Sequence, residues 1–250
     1  MKQEGYDLLY LDPNTHHGQF NRVPNYSKSF EYGKFSHGLP HLQLLLDFNP
    51  ESWLDVGCGY NTLIKEVREK YVKDSWGIDF ACPVADQVCD VLDLPFFDKR
   101  WDLVTAFDVM EHILEDVTVF KNFHQSLKDK GMLLISTPSD QEGSDVHDED
   151  DHSFIDEHVR DGYNIKEIEE KLKNAGFSSV EARYSYGTPG KISWKLSMKY
   201  PILMINASKL FFVILPLYYV ITYPFSFILN YLDVNMKHKT GTGLIVKAFK

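Results

Sequence analysis

Residues Ser52 to Asn61 carry a short apolar run into a Gly-x-Gly turn at Gly57 and Gly59, and a second apolar run ends on Asp79. An apolar run that breaks at glycine reads as a buried strand, and the glycines let backbone N–H groups approach a ligand with no Cβ in the way. An acid closing the next strand stands where it can grip two ribose hydroxyls. The pair points to a parallel α/β sheet with a nucleoside at the carboxyl ends of its strands.

Two residues argue against a dinucleotide. Thr62 stands three positions after Gly59, where the dinucleotide fingerprint wants Gly or Ala for close helix packing. Asp55 precedes the first glycine, and a carboxylate there repels a pyrophosphate but attracts a ligand bearing an ammonium and a sulfonium. S-adenosylmethionine is such a ligand, and a nicotinamide oxidoreductase is disfavoured on the same two residues.

Apolar runs and helical patterns alternate along the chain, as a parallel sheet with crossover helices requires. Strands are expected at 52–56, 75–79, 87–90, 102–107 and 132–137, and helices near 62–71, 117–128 and 165–175, the last stopped by Gly176. Residues 178–184 and 244–249 read as a final strand pair.

With these residues in place, the chain resembles the class I S-adenosylmethionine-dependent methyltransferases, in the branch of the ubiquinone-biosynthesis O-methyltransferases. Asp55-Val56-Gly57-Cys58-Gly59 is similar to the first family motif, Gly77-Ile78-Asp79 to the second and Cys89 to Phe96 to the third. Phe107-Asp108-Val109-Met110-Glu111-His112 resembles the fourth, and Gly131 to Pro138 the fifth strand. His158-Val159-Arg160 with Asn174 to Phe177 resembles the closing helix. Asn61 departs from the pattern where many members carry a third glycine, although Asn tolerates unusual backbone angles. The resemblance implies a Rossmann-like sheet, mostly parallel with the last strand antiparallel, and helices on both faces.

The resemblance also implies roles. Gly57, Cys58 and Gly59 would pass beneath the methionine part of S-adenosylmethionine, with Asp55 near its ammonium. Asp79 would accept from the ribose hydroxyls and Phe80 cover the adenine. Asp90 would accept from the adenine amine, with Val91 and Leu92 flanking the ring. Phe107 and Asp108 would complete the cofactor wall, and Asp108 and Glu111 the pocket edge. Methyl transfer is an in-line displacement, so a base is needed only where the acceptor carries a hindering proton, and His112 is the candidate. The expected reaction is O-methylation of a small or lipid-linked acceptor, leaving S-adenosylhomocysteine. A non-catalytic module that binds either sulfur nucleoside and docks to a membrane or partner through residues 191–240 is the alternative.

The net charge of −10 is unevenly spread. Residues 140–161 hold ten acids against Arg160, whereas 191–250 hold eight lysines against Asp233. No clustered Lys and Arg mark the nucleoside-binding part, which excludes a nucleic-acid groove there. His147 to His152 mixes imidazoles and carboxylates, but adjacent charges of this kind are usually a solvated loop, and no metal is expected. Cys58, Cys82 and Cys89 lack metal-ligand spacing and suit a reducing compartment. Met1 to Tyr10 lacks a signal-peptide pattern, so a cytoplasmic protein is expected.

Before the last strand, Leu210 to Leu232 forms 23 consecutive uncharged residues, long enough to cross a bilayer. One crossing would strand residues 244–249 on the far side of the membrane, and Pro216 and Pro224 should kink or divide a helix. An interfacial or re-entrant helical hairpin is therefore expected, flanked by lysines that suit the inner face of a membrane. A buried cap or homodimer face is the other use of such a segment. The organisation expected is an aromatic-rich N-terminal cap over 1–50, a nucleoside-binding core over 51–190, a hydrophobic helical insertion over 191–240 and the last core strand over 241–250.

Overall fold

The computed structural model describes residues 48–94, 99–141 and 159–250. Seven strands form its sheet: β1 (Ser52–Val56), β2 (Asp74–Asp79), β3 (Gln87–Val88), β4 (Trp101–Phe107), β5 (Leu127–Pro138), β6 (Ser179–Ser185) and β7 (Gly243–Phe249). Their order is β3-β2-β1-β4-β5-β7-β6. The pairings from β3 through β5 are parallel, and β7 runs antiparallel to both β5 and β6. The expected final strand pair is present, and every expected strand and core helix lies within a few residues of its predicted bounds.

Both faces of the sheet are covered, which explains why the strands read as continuous apolar runs. Alternate residues serve opposite faces. Leu54, Val56, Val104, Ala106, Leu133 and Ile135 join one core cluster, and Trp53, Leu103, Met132 and Leu134 join the other. Helix α1 (Thr62–Lys70) seals the second through Ile64 and Val67. Helix α2 (Asp116–Ser126) and helix α3 (Ile165–Asn174) seal the first, through Phe120, Phe123, Ile168 and Leu172. Burying each such side chain contributes about 1.5–3 kcal/mol, so these few positions fix the layer order. Asn164 starts α3, its side chain accepting from Glu167 N at 2.9 Å, and Gly176 at φ 111° ends it as expected.

Asn61, in the place of the third glycine, has φ 59° and is fully buried just ahead of α1. Asn is among the few residues that adopt this backbone readily, so the departure costs the turn little.

Between β6 and β7 the chain leaves the sheet as helix α4 (Thr188–Trp194), a π-helical stretch Lys195–Lys199 and helix α5 (Tyr200–Ala207). It returns as helix α6 (Phe211–Asn235). Of the expected kink or division at Pro216 and Pro224, division does not occur: α6 continues through both. Asp233 roots the hairpin, its carboxylate accepting from Gly190 N at 2.9 Å and Tyr186 N at 3.0 Å. A Cβ on Gly190 would lie 2.7 Å from that carboxylate, so only glycine permits the approach.

Candidate active site

The sequence-predicted residues sit on the turns that follow β1, β2, β3 and β4, at the carboxyl edge of the parallel strands where such sheets bind ligands. The turns are tied together. Cys58 N donates to Ile78 O at 3.0 Å, and Cys89 N donates to Asp79 O at 3.0 Å. Gly57 has φ 71°, and an added Cβ would stand 2.3 Å from Val109 Cγ2, so glycine alone lets the β1 turn meet the β4 turn. Gly59, at φ 51°, faces open space.

Asp79 has a structural duty that sequence could not reveal. One carboxylate oxygen accepts from Gly59 N at 3.0 Å, and the other from Ala81 N at 3.1 Å and Cys82 N at 3.0 Å. The acid thus sets the shape of the glycine turn as well as its own. Phe80 follows it, half-buried. Asp90 caps the 3₁₀ turn Val91–Asp93 by accepting from Leu92 N at 2.9 Å, which holds Val91 and the exposed Leu92 in place. Helix α1 begins behind the glycine turn with no side-chain cap and no acid in its first turn, so its N-terminal end retains its positive potential.

Asp55 lies at the end of β1 and is only 5% exposed. Thr105 Oγ1 donates to it at 2.5 Å while accepting from Trp53 Nε1 at 2.8 Å. Thr105 is a site-building residue that sequence reading misses, because mid-strand it looks like ordinary filling. Burial pushes the Asp55 carboxyl up to about 7, against the Thr105 hydrogen bond and with a further push from Asp79. The expected negative charge is therefore complete only above neutral pH. The sign follows: a cation bound beside Asp55 favours the ionised form, so binding a sulfonium ligand weakens as pH falls from 8 to 6 and releases a proton. Calorimetry in buffers of different ionisation enthalpy should register that proton release, and an affinity flat across this range would remove Asp55 from the site.

The fourth turn supplies three more polar groups. Phe107 closes β4 half-buried, and Asp108 follows at φ 54°, its N–H donating to Ser136 O at 2.9 Å. A non-glycine residue held in that conformation often marks a functional site. Asp108 reaches solvent although protein hems in its carboxyl. That enclosure pushes its pKa upward, Glu111 adds to the push, and His112 opposes it. Glu111 is 2% exposed and accepts from Thr137 Oγ1 at 3.1 Å, and burial pushes it up to about 7. His112 ends the 3₁₀ turn Met110–His112, half-buried, its N–H donating to Val109 O at 3.1 Å.

A buried ionic cluster secures this turn from behind. Asp116 accepts from Arg160 Nη1 at 2.6 Å, Tyr163 OH at 2.7 Å and Lys171 Nζ at 2.7 Å. Burial alone would raise the Asp116 pKa, but these donors hold it below the ordinary carboxylate value. Arg160 Nη2 also donates to Ile113 O at 2.6 Å, directly after His112. A second residue that sequence missed is Tyr186, at φ 53° just past β6. Burial pushes its phenol well above the ordinary value, and the charges of Asp108 and Asp233 push it further, so it sits between the fourth turn and the root of the hairpin with its proton kept. His158, the acidic loop with His147 to His152 and the N-terminal aromatics lie outside the described residues.

A sulfonium nucleoside fits this edge: glycines leave room, Asp55 is a buried carboxyl with no cation in contact among the described residues, and α1 presents an uncapped end. Comparison with known proteins agrees. A family model described as a methyltransferase domain matches residues 31–182. Phosphoethanolamine N-methyltransferase 1 of Zea mays is 30% identical over 144 residues, covering 52% of this chain and 28% of that protein. Phosphoethanolamine N-methyltransferase 3 of Arabidopsis thaliana is 26% identical over 161 residues, covering 55% and 31%. The chain thus spans less than a third of the length of these curated relatives. Among solved structures, phosphoethanolamine N-methyltransferase 2 of Haemonchus contortus, in complex with phosphomonomethylethanolamine and S-adenosylhomocysteine, aligns with a TM-score of 0.56 at 20% identity, covering 84% of this chain and 52% of that one. An S-adenosylmethionine-dependent methyltransferase of Archaeoglobus fulgidus aligns with a TM-score of 0.53 at 13% identity, covering 89% and 99%. With its glycine turn, its acid-tipped second strand and its antiparallel last strand, the chain belongs to the class I S-adenosylmethionine-dependent methyltransferases.

Proposed function

We propose that this methyltransferase transfers its methyl group to an amine nitrogen of a small acceptor, rather than to the oxygen expected from the sequence. The observation that carries the reading is the pair of carboxyls, Asp108 and Glu111, on the turn after β4, with His112 beside them. Such a pair attracts a cationic amine and disfavours an anionic acceptor group. The names of the curated relatives, all phosphoethanolamine N-methyltransferases, point the same way.

Gly57, Cys58 and Gly59 would hold the methionine part of the cofactor, with Asp55 for its ammonium. Asp79 would accept from the ribose while holding the glycine turn, and Phe80, Asp90, Val91 and Leu92 would hold the adenine. When bound, S-adenosylmethionine supplies an electrophilic methyl on a sulfonium. An amine enters largely protonated, since an alkylamine has a pKa near 10.4, and must lose that proton before its lone pair can attack. His112 accepts the proton on a ring nitrogen, while Asp108 and Glu111 hold the ammonium against it. Phe107 and Asp108 form the wall that aligns nitrogen with methyl.

The apolar hairpin, rooted beside the site through Tyr186 and Asp233, favours one second reading, in which the amine is carried on a lipid. The assay is transfer of radiolabelled methyl to phosphoethanolamine, to phosphatidylethanolamine in vesicles and to a catechol. Methylation of either amine with none of the catechol is expected, and the preferred amine separates the two readings. Turnover of the catechol alone would overturn nitrogen as the acceptor atom.

A further inference from the structure

The hairpin between β6 and β7 has its polarity inside out. Apart from Leu215, the buried residues that α6 turns inward are polar, Ser226 and Asp233: the Ser226 backbone O accepts from Ser193 Oγ at 3.0 Å, and the Asp233 carboxylate accepts from Gly190 N. Tyr218 OH donates to Leu196 O at 2.7 Å, and Tyr219 OH to Ser197 O at 3.0 Å. The opposite side of the same helix is apolar and open. Val213 is 81% exposed and Val220 73%, and Leu217, Ile221, Ile228 and Leu232 continue the stripe at helical spacing. A surface helix in water has the reverse arrangement, and an apolar patch of this extent marks an interaction site.

Charge and geometry select the occupant. The outward stripe carries no charge along a helix about 37 Å long, while exposed lysines stand at both ends, Lys209 before it and Lys237 and Lys239 after it. The tyrosine hydrogen bonds place Leu196 and Ser197 against the middle of α6, which brings Lys195 and Lys199 of the outgoing arm beside that midpoint. Were α6 to stand across a bilayer, those lysines would sit near its centre, where a charged side chain is costly. The strands at both ends of the hairpin also pair in one sheet, so the chain leaves and returns on one side.

We propose that α6 lies flat in the headgroup region of an anionic lipid leaflet, its Leu217, Val220 and Ile228 face buried among acyl chains and the terminal lysines on lipid phosphates. The hairpin is rooted at Ser185 and Gly243, in register with Pro138 at the carboxyl edge of the sheet. Docking therefore brings the edge that carries the active site to the lipid surface. The docking does not depend on which atom is methylated.

The test is flotation of the full chain with vesicles of phosphatidylcholine alone and of phosphatidylcholine with phosphatidylglycerol. Binding to the anionic vesicles, weakened by salt, is expected. The triple variant Leu217→Glu, Val220→Glu, Ile228→Glu should lose about tenfold or more of that binding, with S-adenosylmethionine affinity unchanged as proof of folding. Lys209→Leu separates a flat helix from an inserted tip: a flat helix loses roughly fivefold on anionic vesicles. Tighter binding by Lys209→Leu would overturn the flat orientation. Failure of the folded chain to bind anionic vesicles, or a lipid-free dimer that the triple variant dissociates, would overturn the lipid assignment.

Discussion

Asp79→Ala should weaken S-adenosylmethionine binding by at least about a hundredfold, read by calorimetric titration. The carboxylate accepts three backbone N–H groups, from Gly59, Ala81 and Cys82. Hydrogen bonds to a charged group contribute about 1.5–3 kcal/mol each, and a hundredfold loss corresponds to only about 2.7 kcal/mol. Its removal frees the glycine turn and deletes the proposed ribose acceptor at the same time. Asp79→Asn should fall between, because one amide oxygen can still serve one side of the turn. A chain that keeps its circular dichroism spectrum and its affinity after Asp79→Ala would mean that the nucleoside lies elsewhere.

The second large effect belongs to His112. Replacement by Ala should lower kcat by roughly a hundred- to ten-thousandfold, the usual range for a lost general base, while cofactor affinity stays within about twofold. The deficit should narrow as pH rises, because the acceptor amine then loses its proton to solvent without help. A purely structural histidine in the Met110–His112 turn would give a different signature, with lowered thermal stability and a deficit independent of pH. Equal kcat for both proteins would place the proton transfer on another group.

Much of the fold was legible because its determinants are local. Five parallel-type runs, two bounding glycines and the Gly176 stop require no long-range information to recognise, and the antiparallel last strand followed from the resemblance; its place between β5 and β6 is a finding of the structure. The placement of the candidate site was legible as a set of strand ends, since the predicted residues lie at or just past the ends of strands that the sheet order brings side by side. What stayed hidden depends on side-chain geometry across distant segments. Thr105 and Tyr186 carry no motif; one matters because β4 pairs with β1 in register Asp55 to Thr105, the other because the hairpin root folds back toward Asp108. Burial likewise decides the ionisation of Asp55, which a sequence shows simply as an acid. Helix α6 runs unbroken through Pro216 and Pro224, against the local preference that proline carries.

Calorimetric titration of the purified chain with S-adenosylmethionine, S-adenosylhomocysteine and NADH tests the central assignment most directly. Saturable one-to-one binding of both sulfur nucleosides with none of NADH is the predicted result. Preferential binding of NADH, or no binding of either sulfur nucleoside, would contradict the placement of a methyl-donor site on the glycine turn and Asp79.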